Sequence, residues 1–152
     1  MGMAPAEPAP EVAGALTGAR ICSLDDDPDA RDVISLTLRQ AGAEVRSVAS
    51  GAELIAILEQ ELPASHPDGL LMDLAMPDED GFTVLARVRA LEARKSVSGA
   101  GIPAIAVTAF TEVSRDRVIE QGFLDHVGKP IDPARLVATI RRVMQAGRVT
   151  MG

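Results

Sequence analysis

The chain has very few aromatic side chains: they make up 2% of its 152 residues, three of them are Phe, and Trp and Tyr are absent. The core must therefore be filled by Val, Leu, Ile, Ala and Met, which together with Phe and Cys give 47% hydrophobic residues. Such a composition suits strands and helices packed in layers around one aliphatic core.

Other absences limit where the protein works and what it binds. The single cysteine, Cys22, cannot form an internal disulfide, and the first residues lack the basic start and apolar stretch of a signal peptide. No apolar run approaches the length of a membrane span. We therefore expect a cytoplasmic protein without membrane insertion. The net charge of -7 works against a DNA partner and favours proteins, or small anions neutralised by a metal.

The chain is long enough for one domain with a real core. The first 18 residues are rich in Ala, Pro, Glu and Gly and show no sustained period, so we predict a disordered tail or linker over residues 1–18. The domain itself is predicted over residues 19–147, and a C-terminal tail over residues 148–152.

Short apolar runs alternate with helical patterns five times. The predicted strands are Ile21–Leu24, Val45–Ala49, Gly69–Asp73, Ile102–Ala109 and Phe123–Val127. Each is followed by apolar residues at helical spacing, and Glu92–Gly101 is predicted as a polar loop. Because several strands are apolar throughout, we predict an α/β fold in which helices cover both faces of a doubly wound, five-stranded parallel sheet.

Polar residues stand where these strands end. Asp25 and Asp26 follow the first strand, Asp73 ends the third, Thr108 ends the fourth, and Lys129 follows the fifth. Ligands of such sheets bind outside the carboxyl ends of the strands.

Each of these residues also has an ordinary explanation. Acids near Asp25 suit a helix N-terminus, Asp73 suits a turn cap, and Lys129 suits an exposed surface. Taken together, however, three carboxylates at one end of a sheet repel each other unless a cation lies among them. Mg²⁺ fits carboxylate oxygens, and Lys129 and Thr108 then suit a phosphoryl group on Asp73.

The chain resembles the receiver domains of two-component response regulators. The resemblance covers roughly Arg20 to Ala146 and rests on the segments "LDDDPDAR", "LLMDLAMPDEDG", "AIAVTAF" and "GKP" in their usual order and spacing. It implies a flavodoxin-like strand order of 2-1-3-4-5. It also implies that Asp73 is the phosphoacceptor, and that Asp25, Asp26, Asp73 and the backbone carbonyl of Ala75 hold Mg²⁺, or Mn²⁺ in its place.

The resemblance also implies a signalling role. A histidine kinase, a phosphotransfer protein or a small phosphodonor would supply the phosphoryl group, with Thr108 and Lys129 contacting it. The domain would not be an enzyme beyond phosphotransfer to itself and autodephosphorylation. The stretch from Gly101 to Pro133 is more similar to receivers of hybrid histidine kinases than to those fused to DNA-binding domains. The expected partners are thus a downstream docking protein or a fused kinase domain.

Two further residues carry expectations. His126 stands where many receivers have a Tyr or Phe that turns inward on activation; it is either part of the switch with Thr108 or a half-exposed histidine of no consequence. Phe110 is expected near the mouth of the site, where it would shield an acyl phosphate from water.

Three other functions compete with this interpretation. A phosphohydrolase with an aspartyl-phosphate intermediate typically has a second acid two residues after the nucleophile, where this chain has Ala75. A flavin-binding electron carrier would need a Ser/Thr/Gly phosphate loop and stacking aromatics. A receiver-like interaction module that works without phosphorylation is the remaining alternative.

Overall fold

The computed structural model describes residues 9–97, 99–109 and 114–150. Within these ranges five strands alternate with five helices. In chain order they are β1 (Arg20–Leu24), α1 (Pro28–Gln40), β2 (Glu44–Val48), α2 (Gly51–Glu61), β3 (Gly69–Asp73), α3 (Gly81–Arg94), β4 (Ala104–Thr108), α4 (Arg115–Glu120), β5 (Asp125–Gly128) and α5 (Pro133–Thr150).

The five strands form one sheet in the order β2-β1-β3-β4-β5, and every described strand pair is parallel. This confirms the predicted α/β class and the strand order. Strands that follow one another in the chain are joined by a helical crossover, as parallel strands require. The order changes direction between β1 and β3, so the ends of these two strands form the switch point of the sheet.

Both faces of the sheet are covered by helices. Alternate side chains of β3 and β4 enter different cores: Met72 and Ala106 belong to one buried cluster, Leu71 and Ile105 to the other. The first cluster contains side chains of α2, α3 and α4, and the second those of α1 and α5. Because both faces are buried, β3 and β4 are apolar in every position except the last, which is Asp73 in β3 and Thr108 in β4.

Local signals in the sequence start the helices. The hydroxyl of Ser50 accepts a hydrogen bond from the Glu53 amide (3.2 Å), and the Glu53 carboxylate accepts one from the Ala49 amide (3.1 Å). These two reciprocal bonds form a capping box at the start of α2. At the start of α3, the Asp80 carboxylate accepts a hydrogen bond from the amide of Thr83 at 2.7 Å. Helix α3 therefore begins immediately after the loop that follows Asp73.

The prediction that Glu92 opens a polar loop is wrong. Helix α3 continues to Arg94, and Glu92 is buried at 4% exposure. Its carboxylate accepts hydrogen bonds from the Ile102 amide (2.7 Å) and from the Arg89 guanidinium (2.9 Å). These two hydrogen bonds satisfy the buried carboxylate. Glu92 therefore remains in α3 and connects this helix to the segment that leads into β4.

The segment before β1 also differs from the predicted linker over its described part, residues 9–18. Val12 and Leu16 are 2% and 3% exposed and pack in the cluster of α1 and α5. The Leu16 amide donates to the carbonyl of Ala41 at 2.7 Å. We call residues 9–18 the N-terminal strap. Its two buried residues, Val12 and Leu16, are four positions apart. One such pair is too short for the sequence to show a periodic pattern.

Gly42, two residues after the end of α1, allows Thr17 of the strap to lie close to the backbone there. A Cβ atom at this position would lie 2.6 Å from the Thr17 hydroxyl oxygen and 3.0 Å from the Thr17 Cα atom. Its φ of +93° is also in the left-handed region, which favours glycine. Glycine at position 42 therefore makes room for the strap.

The end of the chain is more regular than expected. Helix α5 continues to Thr150, so residues 148–150 of the predicted C-terminal tail are helical, while residues 151 and 152 lie outside the described ranges. Among the residues that the structure describes, none of the helices is both long and apolar enough to cross a membrane.

We predict that Leu16→Ala lowers the free energy of unfolding by about 2–4 kcal/mol, because it leaves a cavity between the strap and the core. Urea denaturation followed by circular dichroism measures this change. The matched control is Leu36→Ala: Leu36 lies on α1 with 59% exposure, and its loss is expected to change stability by about 0.5 kcal/mol or less. Equal effects of the two substitutions would contradict a packed strap.

Candidate functional site

The acidic residues meet at the switch point of the sheet. Leu24 of β1 pairs with Met72 of β3, so Asp25 and Asp73 each follow a residue of the same pair. They are 0% and 2% exposed, and Asp26 lies nearer to solvent. One carboxylate oxygen from each of Asp25, Asp26 and Asp73 lies within 4.8 Å of the others. The structure thus brings together the three predicted carboxylates.

Lys129 joins this cluster from the neighbouring strands. Thr108 at the end of β4 pairs with Gly128 of β5, and the Lys129 amide donates to the Thr108 carbonyl at 2.9 Å. From there the Lys129 Nζ atom lies 3.2 Å from Asp25 Oδ2 and 3.3 Å from Asp73 Oδ2. One ammonium group therefore contacts two buried carboxylates.

The charges in the site do not balance. Burial raises the pKa of Asp73 to about 6, repulsion by Asp25 adds to this, and Lys129 opposes it. Burial works against the charge of Lys129, but attraction by Asp25 and Asp73 outweighs it and raises the lysine pKa. The lysine thus stays protonated at neutral pH. Two buried carboxylates facing one cation leave an excess of negative charge that a divalent cation would neutralise.

The turn between β1 and α1 is held by hydrogen bonds between side chains and its backbone. Asp25 Oδ1 accepts a hydrogen bond from the Asp27 amide at 3.0 Å. The guanidinium of Arg31 in the first part of α1 donates to the Asp25 carbonyl at 2.8 Å. Arg31 was not predicted as a residue of the site, although its position six residues after Asp25, in the first turn of a helix, is a usable signal.

The loop after β3 closes on Asp73. The Ala75 amide donates to Asp73 Oδ1 at 3.2 Å, and Ala75 forms an isolated antiparallel bridge with Asp80. The Gly81 amide donates to the Leu74 carbonyl at 3.1 Å. A Cβ atom on Gly81 would lie 2.7 Å from the Asp73 carbonyl oxygen, so glycine permits this tight closure. The expected metal ligand, the Ala75 carbonyl, is thus part of a short closed loop beside Asp73.

The predicted switch residues lie on adjacent strands. Thr108 is buried at 2% exposure, and its hydroxyl donates to the Ala109 carbonyl at 3.1 Å. His126 on β5 pairs with Ala106 of β4, and its Nδ1 atom lies 3.8 Å from Asp125 Oδ1. Phe110, the residue expected to shield the site, lies outside the described residues.

The donor set fits Mg²⁺. The three clustered residues offer carboxylate oxygens, which are the hard ligands that Mg²⁺ and Mn²⁺ prefer. A divalent cation would neutralise the excess negative charge beside Lys129, and Mg²⁺ typically needs only one or two protein carboxylates because it keeps several water ligands. The clustered groups include neither cysteine nor histidine, which a zinc site would favour.

Comparison with known proteins decides the family. The sequence model of the response regulator receiver domain matches residues 21–141. The chain belongs to this family. It is therefore a receiver domain of two-component signalling, a class of signalling domain rather than a conventional enzyme, and its resemblance to receivers is confirmed. Receiver domains bind Mg²⁺ at an acidic site and interact with histidine kinases or phosphotransfer proteins.

Three relatives illustrate the range of the family. An uncharacterized 14.6 kDa protein from Leptolyngbya boryana is 38% identical over 80% of this chain and 87% of its own length. The transcriptional regulatory protein GltR of Pseudomonas aeruginosa is 34% identical over 88% of this chain, which spans only 52% of GltR. The structure of the receiver domain of the Pseudomonas aeruginosa sensor histidine kinase PA1611 has a TM-score of 0.69 at 28% identity, and the match covers 85% of this chain and 99% of that one.

That last structure contains a magnesium ion coordinated in the active site cleft. Receivers similar to this chain thus occur both in a transcriptional regulator and in a sensor kinase.

We predict that Asp73→Asn stabilises the metal-free domain at neutral pH. The folded-state pKa of Asp73, about 6, lies above its ordinary value of 3.8, so the folded state binds the proton more tightly and stability falls as the pH rises between these values. Asparagine resembles the neutral acid and avoids this loss. The gain is expected to be near zero at about pH 4 and to reach roughly 2 kcal/mol at about pH 7.5.

Urea denaturation of both proteins in EDTA at the two pH values measures this difference. A gain that is the same at both pH values would show that the Asp73 carboxylate does not titrate as stated.

Proposed function

We propose that Asp73 accepts a phosphoryl group from a phosphohistidine of a histidine kinase or phosphotransfer protein, or from a small phosphodonor, in a Mg²⁺-dependent reaction. The observation that carries this proposal is the position of the Lys129 Nζ atom, 3.2 Å from Asp25 and 3.3 Å from Asp73, beside a cluster of three carboxylates. A nucleophile, a metal-binding set and a cation for phosphoryl oxygens are then within one site.

Asp73 would act as the nucleophile. Its carboxylate oxygen forms a bond to phosphorus while the bond from phosphorus to the leaving imidazole breaks, which gives an acyl phosphate. Lys129 stabilises the negative charge on the transferring oxygens, and the ends of β3, β4 and β5 hold the groups in place. When bound, Mg²⁺ would neutralise the carboxylates and the phosphoryl oxygens. Water later hydrolyses the acyl phosphate and returns the site to its starting state.

Phosphorylation would then act on Thr108. Its hydroxyl now donates to the neighbouring Ala109 carbonyl, a local bond that the stronger acceptor oxygens of a phosphoryl group can replace. Turning the hydroxyl toward Asp73 would move the end of β4 and alter the surface of α4, β5 and α5, where a downstream protein or a fused kinase domain would dock. His126 lies on β5 beside β4 and would respond to this movement.

We place this signalling in the cytoplasm, with proteins rather than DNA as direct partners. The buried Cys22 thiol is not part of a disulfide, as suits a reducing compartment. The net charge of -7 supports the absence of direct DNA binding.

We predict that the domain takes up one phosphoryl group when incubated with Mg²⁺ and acetyl phosphate, as measured by intact mass. Asp73→Asn is expected to abolish the adduct because it removes the nucleophile, and EDTA because it removes the cation. The matched control is Asp68→Asn, an equal change at the opposite end of β3, which is expected to keep the adduct.

If acetyl phosphate and a phosphorylated histidine kinase both give no adduct, and beryllofluoride does not bind, the proposed function is wrong. The domain would then be an interaction module that works without phosphorylation.

We predict that Thr108→Ala separates phosphoryl uptake from the switch. The variant is expected to form the adduct, because Asp73 and Lys129 remain, but to lose most of the amide shift changes that phosphorylation causes in α4 and β5. NMR spectra with and without beryllofluoride measure these changes. Wild-type shift changes in the variant would contradict a role of the Thr108 hydroxyl in the switch.

A further inference from the structure

The loop that carries Ala75 has a second attachment, away from Asp73. At its base, Ala75 bridges to Asp80 and the Gly81 amide bonds to the Leu74 carbonyl. At its outer part, the Glu79 carboxylate accepts a hydrogen bond from the amide of Gly51, the first residue of α2. Glu79 is 28 residues away from Gly51 in sequence, so this bond ties two separate parts of the fold together.

The start of α2 provides a suitable place for this carboxylate. The capping box uses the amides of Ala49 and Glu53 and does not use that of Gly51. The Gly51 amide therefore needs another acceptor, and the positive end of the helix dipole favours an anionic one.

Glycine at position 51 and an arginine on α3 support the same contact. A Cβ atom at Gly51 would lie 2.8 Å from Glu79 Oε2, 2.9 Å from Glu79 Oε1 and 2.8 Å from Val84 Cγ2, so glycine at this position leaves room for the carboxylate. Glu79 Oε2 also lies 3.8 Å from the Arg87 guanidinium. The Glu79 side chain is thus held from two helices.

We propose that Glu79 is a positioning residue for the metal site: it fixes the loop after β3 on α2 and thereby holds the Ala75 carbonyl in place for Mg²⁺. This inference rests on the proposed function, because Ala75 is a ligand only if the site binds a metal. Such supporting contacts order the ligands before the cation arrives. Glu79 itself contacts helix α2 and Arg87 rather than the clustered carboxylates.

The test is the affinity for Mn²⁺, measured from the electron paramagnetic resonance signal of the free ion, together with amide hydrogen exchange of residues 74–81 without metal. Glu79→Ala is expected to raise the Mn²⁺ dissociation constant roughly tenfold and to speed exchange in the loop. Glu79→Gln is expected to stay near wild type, because its amide oxygen can accept the Gly51 hydrogen bond.

The matched control is Glu53→Gln, which removes the same charge at the same helix end. The Glu53 carboxylate bonds to Ala49 and not to the loop, so no change in Mn²⁺ affinity is expected. Gly51→Ala places a methyl group where the Glu79 carboxylate lies. This variant is therefore expected to weaken Mn²⁺ binding as Glu79→Ala does.

Three results would overturn the proposal. Wild-type affinity in Glu79→Ala would show that the contact is not needed. Equal losses in Glu79→Ala and Glu79→Gln, with unchanged loop exchange, would show an effect of charge rather than position. A wild-type domain that binds no Mn²⁺ and forms no phosphoryl adduct would overturn the proposed function as well, whereas in the first two results the wild type binds metal and the proposed function stands.

Discussion

Two buried carboxylates share one lysine at the end of the sheet, and the remaining structure must supply the stability that this arrangement lacks. Burying Asp25 and Asp73 side by side costs free energy, because neither is fully solvated and each repels the other. Lys129 offsets part of this cost with its contacts of 3.2 and 3.3 Å. A folded domain with such a site needs strong packing elsewhere.

That packing lies in the two apolar clusters and at the opposite end of the strands. Central strands β3 and β4 are buried along their whole length, and helices cover both faces. At the amino end of β1, the N-terminal strap closes the second cluster through Val12 and Leu16. Apolar burial along the whole length of these strands, extended by the strap, therefore offsets the free-energy cost of the buried carboxylates.

The fold and the acidic cluster were predictable because both depend on local patterns. Four apolar runs of the sequence end in or lead to a polar residue: Asp25, Asp73, Thr108 and Lys129. This repeated pattern predicts a parallel sheet with polar residues at the carboxyl ends of its strands, and the observed strand register places these residues together. The strap, the burial of Glu92 and the contact of Glu79 with Gly51 were not predictable in this way. Each depends on a partner far away in sequence: Ala41 for Leu16, Ile102 for Glu92, and a helix start 28 residues earlier for Glu79.

The contacts around the site differ in how easily they can change. Ala75 and Asp80 close a loop that glycine at position 81 keeps tight, and Glu79 attaches the same loop to a helix. By contrast, the hydrogen bond of the Thr108 hydroxyl within the described part of the chain is a local one, to the carbonyl of the next residue. A bond of this kind costs little to break, whereas moving the loop would break several bonds at once. New charge on Asp73 would therefore move the end of β4 before it disturbed the loop after β3.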